Sequence, residues 1–267
     1  MKDNMLIYCS DTEASLRTSE ALIPTLRSAG ITISPSLTDD VDLIVCIGGD
    51  GTFLEAIHHF DFPEVPFIGI NTGHLGFFQE MMPDMLDDFI TNYREEKYSL
   101  QPMHTVQALV TSGGRTEEYV GLNEVIICSA STHSVHLNIS IGGSFIERFS
   151  GDGVLIGTPA GSTAYNYSLG GSIVDPRLRL LQVTPMAPMN TTAYRSFTSS
   201  IVLPPDLSIG IHPDGKGSKG KIRISVDGFE YLYDELESVD VRLSEKVINL
   251  LRFESYDFWS KVKSKFL

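Results

Sequence analysis

Residues 42–57 read DLIVCIGGDGTFLEAI, and this stretch decides the fold of the first part of the chain. Five consecutive apolar residues at 43–47 have the pattern of a strand that is buried on both faces. Gly48, Gly49 and Gly51 follow at once, and the apolar spacing after them predicts a helix. A strand that ends on glycines at a helix N-terminus can bind phosphate, because the N–H groups of the first helical turn point at the anion.

Asp50 stands in the middle of this glycine turn. A site that only holds phosphate should not contain an uncompensated negative charge, so Asp50 is predicted to act as a metal ligand, a general base or both. A plain helix cap by Asp50 or Thr52 would explain the glycines and Thr52, but not the carboxylate between the glycines. The turn matches neither the Walker A loop nor the dinucleotide GxGxxG pattern.

Composition limits the kinds of partner. The chain has 267 residues, a formal net charge of -14 and a pI near 4.8. This acidity argues against nucleic acid and against anionic membrane surfaces as partners. Backbone N–H groups, a few arginines and a divalent cation could still bind a phosphorylated small molecule. Three cysteines without metal-like spacing, and no apolar run long enough for a membrane span or a signal peptide, predict a cytoplasmic protein.

The pattern of elements changes near residue 100. Before it, strands alternate with helices, which predicts a parallel α/β sheet. From 101 to 252 short alternating strands, one of them at 116–127, are separated by glycine turns and predict stacked antiparallel sheets. We therefore expect an α/β domain at 1–100, a β-rich domain at 101–252, and a helical tail at 253–267 that packs back on the first domain. The tail is also basic and amphipathic, and a membrane or partner helix is the less favoured alternative.

The first helix is predicted to begin at a cap on Ser10 or Asp11 and to run to about residue 28. Leu16, Leu22, Ile23 and Leu26 are expected on its buried face. Pro24 should kink or break the helix, because proline lacks the N–H group that an interior position donates.

A second motif lies at 158–165, TPAGSTAY, and follows Gly151, Asp152 and Gly153. Its small side chains, hydroxyls and free N–H groups, with Tyr165 for stacking, suit adenine and ribose. A helix that is simply capped after a turn is an equally good explanation of the motif alone. Its closeness in sequence to Asp152 favours a binding function.

Asn123 and Glu124 lie inside an apolar strand context. A carboxylate there could hold ribose hydroxyls, but taken alone the pair favours an outward-facing edge position. The seven histidines form no ligand set, since His58 and His59 point to different faces of one helix.

Together these motifs resemble the NAD kinase family, in the compact bacterial form and over nearly the whole chain. The resemblance rests on 48–52 (GGDGT), 71–77 (NTGHLGF), 123–124 (NE), 151–153 (GDG) and 158–165 (TPAGSTAY). It implies a Rossmann-like α/β N-terminal domain, a β-rich C-terminal domain, and NAD bound between them. It also implies transfer of a phosphoryl group from ATP or inorganic polyphosphate to the 2′-hydroxyl of the adenosine ribose, which gives NADP. Asp50 would be the general base, and magnesium would enter with the donor phosphates at the glycine turn.

The resemblance implies roles for further residues. The donor phosphates would lie at Gly48, Gly49, Gly51 and Thr52. The dinucleotide would be bound by Asp50, Gly51, Phe77, Phe78, Asn123, Glu124, Asp152, Ala160, Thr163, Ala164, Tyr165 and Ser168. Glu124 would contact ribose and Asp152 the nicotinamide half. Ala187, Met189 and Tyr194 would come from a neighbouring subunit, because the family forms homotetramers that are dimers of dimers.

One position departs from the family. Many relatives have arginine two residues before Asp152, where this chain has Ser150. Arg148 lies on the same face if both residues are in a strand, and could replace the missing cation.

Two other hypotheses remain. The GGDG element is shared with lipid and sugar kinases, so a kinase of that superfamily is the first alternative. A non-catalytic module that senses NAD(P) is the second.

Overall fold

The computed structural model describes residues 4–73, 76–190, 195–215 and 221–266. The chain divides into two compact units. Unit 1 comprises Met1–Met103 and Val247–Leu267, and unit 2 comprises His104–Lys246. The domain limits expected from the sequence, 1–100 and 101–252, remain a prediction.

Unit 1 begins with alternating strands and helices. Its elements up to residue 94 are β1 Asn4–Cys9, α1 Glu13–Ser28, β2 Thr32–Ser34, β3 Leu43–Gly48, α2 Asp50–His59, β4 Phe67–Asn71, β5 Gln79–Met81, a short 3-10 helix Pro83–Met85, and α3 Leu86–Arg94. Strands β2, β1, β3 and β4 form a parallel sheet in that order, and β5 continues it parallel to β4. Every residue of β3 is buried, as its unbroken apolar sequence predicted. The parallel α/β fold expected for this part is confirmed.

Helix α1 differs from the prediction in three details. Thr12 is the N-cap, because its side chain accepts a hydrogen bond from the N–H of Ser15, so the predicted caps are wrong. The helix continues through Pro24, so of the predicted kink or break the break does not occur. Leu16 is 49% exposed, since the buried face follows Ser15, Thr18, Leu22 and Leu26.

The rest of the chain is mostly β-structure. Its elements are β6 Tyr98–Ser112, β7 Arg115–Gly121, β8 Glu124–Ser129, β9 Val135–Ile141, β10 Ser144–Gly151, β11 Gly153–Gly157, a 3-10 helix Ala160–Thr163, α4 Tyr165–Ser168, β12 Leu181–Met186, β13 Ile201–Leu203, β14 Ile209–Pro213, β15 Ile222–Val226, β16 Phe229–Tyr233, β17 Leu236–Phe253 and α5 Phe258–Phe266.

Unit 2 has two groups of antiparallel strands. One has the order β13-β12-β11-β8-β15-β16. The other contains β10-β9-β14 beside the first half of β17, and the hairpin β6-β7. Inward residues of both groups, such as Val125 and Ile156 from the first and Leu137 and Ile211 from the second, belong to one buried core. This confirms the expected stacked antiparallel sheets.

The predicted strand at 116–127 is two strands, β7 and β8. The chain turns between them because the Asp227 carboxylate accepts the N–H groups of Leu122, Asn123 and Glu124 at 2.6, 2.7 and 3.2 Å. The turn places Asn123 and Glu124 at the start of β8 and leaves them buried.

The end of the chain belongs to unit 1. Leu250 of β17 lies beside Phe67 of β4 in parallel register. In α5, Phe258 and Val262 are buried and the Phe266 ring stacks on that of Phe77, whereas Trp259 is 49% exposed. The buried face of α5 therefore includes Phe258 and Val262 but not Trp259.

Candidate active site

The three glycines of the turn after β3 differ in how much space surrounds them. A side chain at Gly48, whose φ is +158°, would overlap the side chain of Thr52. A β-carbon at Gly49 or Gly51 would meet no atom of the described residues within 4 Å, apart from its chain neighbours and the backbone of its own helix. Packing therefore requires Gly48, while Gly49 and Gly51 leave the backbone at the start of α2 open to a ligand.

Asp50 is the first residue of α2, and its side chain is 30% exposed. Its carboxylate accepts the N–H of Phe77 on both oxygens, at 3.1 and 3.0 Å, and the N–H of Phe78 on Oδ1 at 3.0 Å. Nζ of Lys265 lies 4.0 Å from Oδ2. Asp50 thus has a structural partner that the sequence argument missed, because the segment that supplies the N–H groups is 27 residues away.

The last residues of the 71–77 motif, with Phe78 after it, pack around this carboxylate. A β-carbon on Gly76 would overlap Asp50 and Gln79, which explains why glycine stands there. The Phe78 ring stacks on Phe53 at 5.2 Å, and the Phe77 ring is buried. Asn71 closes the other end, since its Oδ1 accepts the N–H of Gly73 at 3.3 Å. His74 and Leu75 lie outside the described residues.

In unit 2, Asn123 and Glu124 are 6% and 7% exposed, so the outward-facing position that the pair alone favoured is wrong. Burial, and secondarily the charge of Asp227, raises the pKa of Glu124 to about 8. Asn123 Oδ1 and Glu124 Oε2 are buried without a hydrogen-bond partner among the described residues. Buried polar atoms are rarely left unpaired, so these two oxygens are available to a ligand.

The 158–165 motif packs directly on this pair. The Thr158 hydroxyl donates to the carbonyl of Leu122 at 2.6 Å, and its N–H donates to the carbonyl of Asn123 at 2.9 Å. A β-carbon on Gly161 would overlap the backbone of Asn123, so only glycine allows this approach. The structure therefore brings the two motifs together.

The other predicted residues near this motif differ in exposure. Ala160 and Thr163 are buried, Ala164 is half-buried, and Tyr165 and Ser168 are exposed. Helix α4, which follows the motif, has only four residues, Tyr165–Ser168.

Sequence reasoning missed a buried polar cluster beside this motif. Thr184 donates to Asn166 Oδ1 at 2.6 Å, and the Gln182 side chain accepts the N–H of Ser172 at 2.8 Å and donates to its carbonyl at 3.1 Å. The cluster fixes the loop after α4. The glutamine and the threonine of strand β12 gave no signal, because alternate polar residues usually face solvent.

Asp152 is exposed at the turn between β10 and β11, and its N–H donates to the carbonyl of Met186 at 2.9 Å. Ala187, next along the chain, is exposed at a φ of +42°. Met189 is 44% exposed, and its N–H donates to the carbonyl of Ser150 at 2.7 Å. These segments therefore lie together, whereas Tyr194 lies outside the described residues.

Arg148 is already paired and so does not directly compensate for the departure at Ser150. Ser150 is buried and hydrogen-bonded to Ser196. Arg148 lies in the same strand, but its guanidinium pairs with Asp214 at 2.7 Å. A replacement role for Arg148 would require it to leave this partner.

The described residues also bear on metal binding and on membrane insertion. They contain no group of three or more histidines, cysteines, aspartates or glutamates arranged to hold a metal ion. None of their helices is both long and apolar enough to span a membrane.

Comparison with known proteins identifies the chain. Residues 14–98 match the family model of the ATP-NAD kinase N-terminal domain, and residues 122–253 match that of the ATP-NAD kinase C-terminal domain. The NAD kinase of Finegoldia magna is 35% identical over 264 residues, which are 98% of this chain and 97% of the relative. The NAD kinase of Lactobacillus johnsonii is 32% identical over 98% of this chain and 96% of the relative.

Two solved structures share the fold. A structure of yeast NADH kinase complexed with NADH has a TM-score of 0.86 at 21% identity, and covers 99% of this chain and 87% of the other. An NAD kinase from Archaeoglobus fulgidus in complex with ATP has a TM-score of 0.73 at 21% identity, over 98% and 99%. Fold and relatives together define a phosphotransferase. The chain belongs to the NAD kinase family.

Proposed function

We propose that this enzyme transfers the terminal phosphoryl group of ATP to the 2′-hydroxyl of the adenosine ribose of NAD and so makes NADP. The observation that carries the proposal is a pair of buried oxygens, on Asn123 and Glu124, that have no hydrogen-bond partner among the described residues. They lie against the 158–165 motif and suit the donor groups of adenosine and its ribose. The relatives named NAD kinase over the whole chain support the same function.

Asp50 is proposed as the general base. A ribose hydroxyl is a weak nucleophile, and a carboxylate that takes its proton makes it a better one. As the hydroxyl oxygen bonds to the terminal phosphorus, the bond from phosphorus to the bridging oxygen breaks, the proton passes to Asp50, and ADP leaves. The N–H groups of Phe77 and Phe78 hold the carboxylate in one orientation for this step.

The donor phosphates are proposed to bind at Gly48, Gly49, Gly51 and Thr52. The open backbone at Gly49 and Gly51 and the N-terminus of α2 favour an anion there. A magnesium ion would neutralise charge on the phosphates. One carboxylate together with substrate phosphates is a usual magnesium environment, so Asp50 fits as its protein ligand. An assay of ATP against inorganic polyphosphate, with NAD as acceptor, identifies the donor.

The remaining residues are proposed to bind the dinucleotide. Glu124 contacts ribose, Asp152 contacts the nicotinamide half, and the adenosine is surrounded by Asn123, Ala160, Thr163, Ala164, Tyr165 and Ser168, with Phe77 and Phe78 nearby. Ala187, Met189 and Tyr194 complete the site of a neighbouring subunit in a homotetramer. The domains are proposed as 1–100 and 101–252, with the tail 253–267 on the first. The free thiols Cys9, Cys46 and Cys128 support a cytoplasmic location, which cell fractionation can test.

A direct assay tests this function. Purified protein with ATP, magnesium and NAD should produce NADP. Turnover of diacylglycerol or a sugar phosphate in place of NAD would instead identify a lipid or sugar kinase. Asp50→Asn should lower turnover by at least about 1,000-fold while calorimetry still detects NAD binding. Near-normal turnover by this variant would disprove the role of Asp50, and binding without any turnover by the wild type would indicate a sensing module.

A further inference from the structure

Arg252, near the end of β17, is a buried cation held from several sides. Its guanidinium pairs with the Glu80 carboxylate at 3.1 Å, and the two side chains are 4% and 2% exposed. Its Nε donates to Gln101 Oε1 at 2.9 Å, and its plane lies over the Tyr256 ring at 3.8 Å from the centroid. Glu80 also accepts the N–H of Phe253 at 2.9 Å. A side chain fixed in this way has one orientation.

The remaining donors of Arg252 reach the segment that holds Asp50. Nη2 donates to the carbonyl of Phe77 at 3.3 Å, and Nη1 donates to the carbonyl of Phe78 at 3.0 Å. The Phe77 carbonyl and the Phe78 N–H belong to the same peptide group, and that N–H donates to Asp50 Oδ1 at 3.0 Å. One rigid peptide plane thus joins the guanidinium of Arg252 to the carboxylate of Asp50.

Lys261 is a second cation that donates to a backbone carbonyl of this segment. Nζ of Lys261 donates to the carbonyl of Gln79, the next one along the segment. Three consecutive carbonyls, at residues 77, 78 and 79, therefore accept hydrogen bonds from cations of β17 and α5. Charge-assisted donation to a carbonyl polarises its peptide and strengthens donation by the N–H of the same group.

We propose that Arg252, held by Glu80, is the residue that positions the Asp50 carboxylate for phosphoryl transfer. It does so by fixing and polarising the peptide between Phe77 and Phe78. This role rests on the proposed function of Asp50 as the base. Arg252 itself touches no reacting atom, so it is a positioning residue, and its loss should lower kcat without weakening the binding of either substrate.

Arg252→Lys is the informative variant, because lysine keeps the charge beside Glu80 but cannot donate to Glu80 and two carbonyls in one plane. We expect kcat to fall on the order of 100-fold, with the KM values for NAD and ATP changed by less than about threefold. In the Asp50→Asn background the same substitution should cost less than about threefold more, since the group that it positions has lost its function.

Leu26→Ala provides the matched control for destabilisation. Leu26 is fully buried in the apolar core of unit 1 and belongs to helix α1. The variant should be less stable yet keep kcat within about twofold of the wild type. If Arg252→Lys does not fold, Glu80→Gln replaces it: the arginine stays but loses its charged partner, and kcat should fall roughly tenfold at unchanged KM.

The outcomes separate this inference from the proposed function. A kcat within about twofold of the wild type in Arg252→Lys, or in Glu80→Gln where the lysine variant does not fold, would overturn the positioning role. An equal fold-loss in the wild-type and Asp50→Asn backgrounds would also overturn it and indicate a general structural effect. Near-normal turnover by Asp50→Asn alone would instead refute the base assignment, whatever Arg252→Lys does.

Discussion

Glu124 combines a buried carboxyl group with an oxygen that has no hydrogen-bond partner among the described residues. Burial disfavours its charged form, and Asp227 adds a second negative charge nearby. Asp227 is required for the local fold, because its carboxylate accepts hydrogen bonds from the backbone N–H groups of residues 122–124. The burial that keeps the Glu124 oxygen available to a ligand, together with the nearby charge of Asp227, therefore lowers the free energy of unfolding near neutral pH.

Glu124→Gln should make stability less dependent on pH. The folded-state pKa of Glu124, about 8, lies above the usual 4.5, so between these values the folded protein keeps a proton that the unfolded chain has released. The wild type should lose stability as pH rises through this window, with a slope of up to about 1.4 kcal/mol per pH unit from this group. The amide of the variant cannot titrate and should flatten that slope in urea unfolding at about pH 5 to 8.

The exposed Glu245 provides the control for this prediction. Glu245→Gln should leave the slope as it is in the wild type. A Glu124→Gln variant with the wild-type slope would show that the carboxyl group is not protonated in the folded protein.

For single residues, the sequence predicts a chemical role more readily than it predicts which distant residues are in contact. Asp50 could be selected because a carboxylate between glycines needs a reason, whereas Asn123 and Glu124 were selected only through the resemblance to the NAD kinase family. Asp227 and Arg252 could not be selected, since an Asp-Gly turn and a basic residue in a strand are common. Their importance depends on contacts with residues more than 100 positions away.

The glycine turn from β3 to α2 allows a test at the level of one element. Gly48→Ala would force a methyl group against Thr52 and should destabilise the protein by about 1–3 kcal/mol. Gly51→Ala would place its methyl group in open space inside a helix, and should stabilise the protein by about 0.5–1 kcal/mol. If phosphates approach this backbone, Gly51→Ala should still lower kcat/KM for ATP at least about tenfold.

Thermal unfolding and steady-state kinetics on both variants check this prediction. A Gly51→Ala enzyme that is both more stable and fully active would mean that the donor does not come close to α2. A Gly48→Ala protein as stable as the wild type would mean that Thr52 can move aside.

Helices and strands were predictable where one hydrophobic pattern continues along the whole element, and less predictable where the spacing of buried residues changes within it. The unbroken apolar run of β3 and the helix after it follow from pattern alone. Strand β17 spans Leu236–Phe253, and only part of it has an alternating pattern in the sequence. Its buried residues alternate at Val239, Val241 and Leu243, but Ser244 is also buried, so the period of two breaks in mid-strand. Such a shift has no local sequence signal.

The assembly of the whole molecule can be tested through Met189, which is 44% exposed and has a proposed role in a neighbouring subunit. The wild type should sediment as a tetramer, and Met189→Glu should shift it to a smaller species, because burying an unpaired charge in an interface is costly. Leu232→Glu, at a residue that is 59% exposed, should leave the tetramer intact. A wild-type monomer in sedimentation velocity would contradict the proposal.

The path from Arg252 to Asp50 also has a consequence for the order of events during synthesis. Arg252 leaves the ribosome about 200 residues after Asp50. At about 5–20 residues per second, that is roughly 10–40 s later. Asn123, Glu124 and the 158–165 motif have all been made in the meantime. Asp227, which holds the backbone at 122–124, is made only about 25 residues before Arg252. A nascent chain should thus complete its dinucleotide-binding turn and its means of modifying the dinucleotide within roughly 1–5 s of each other.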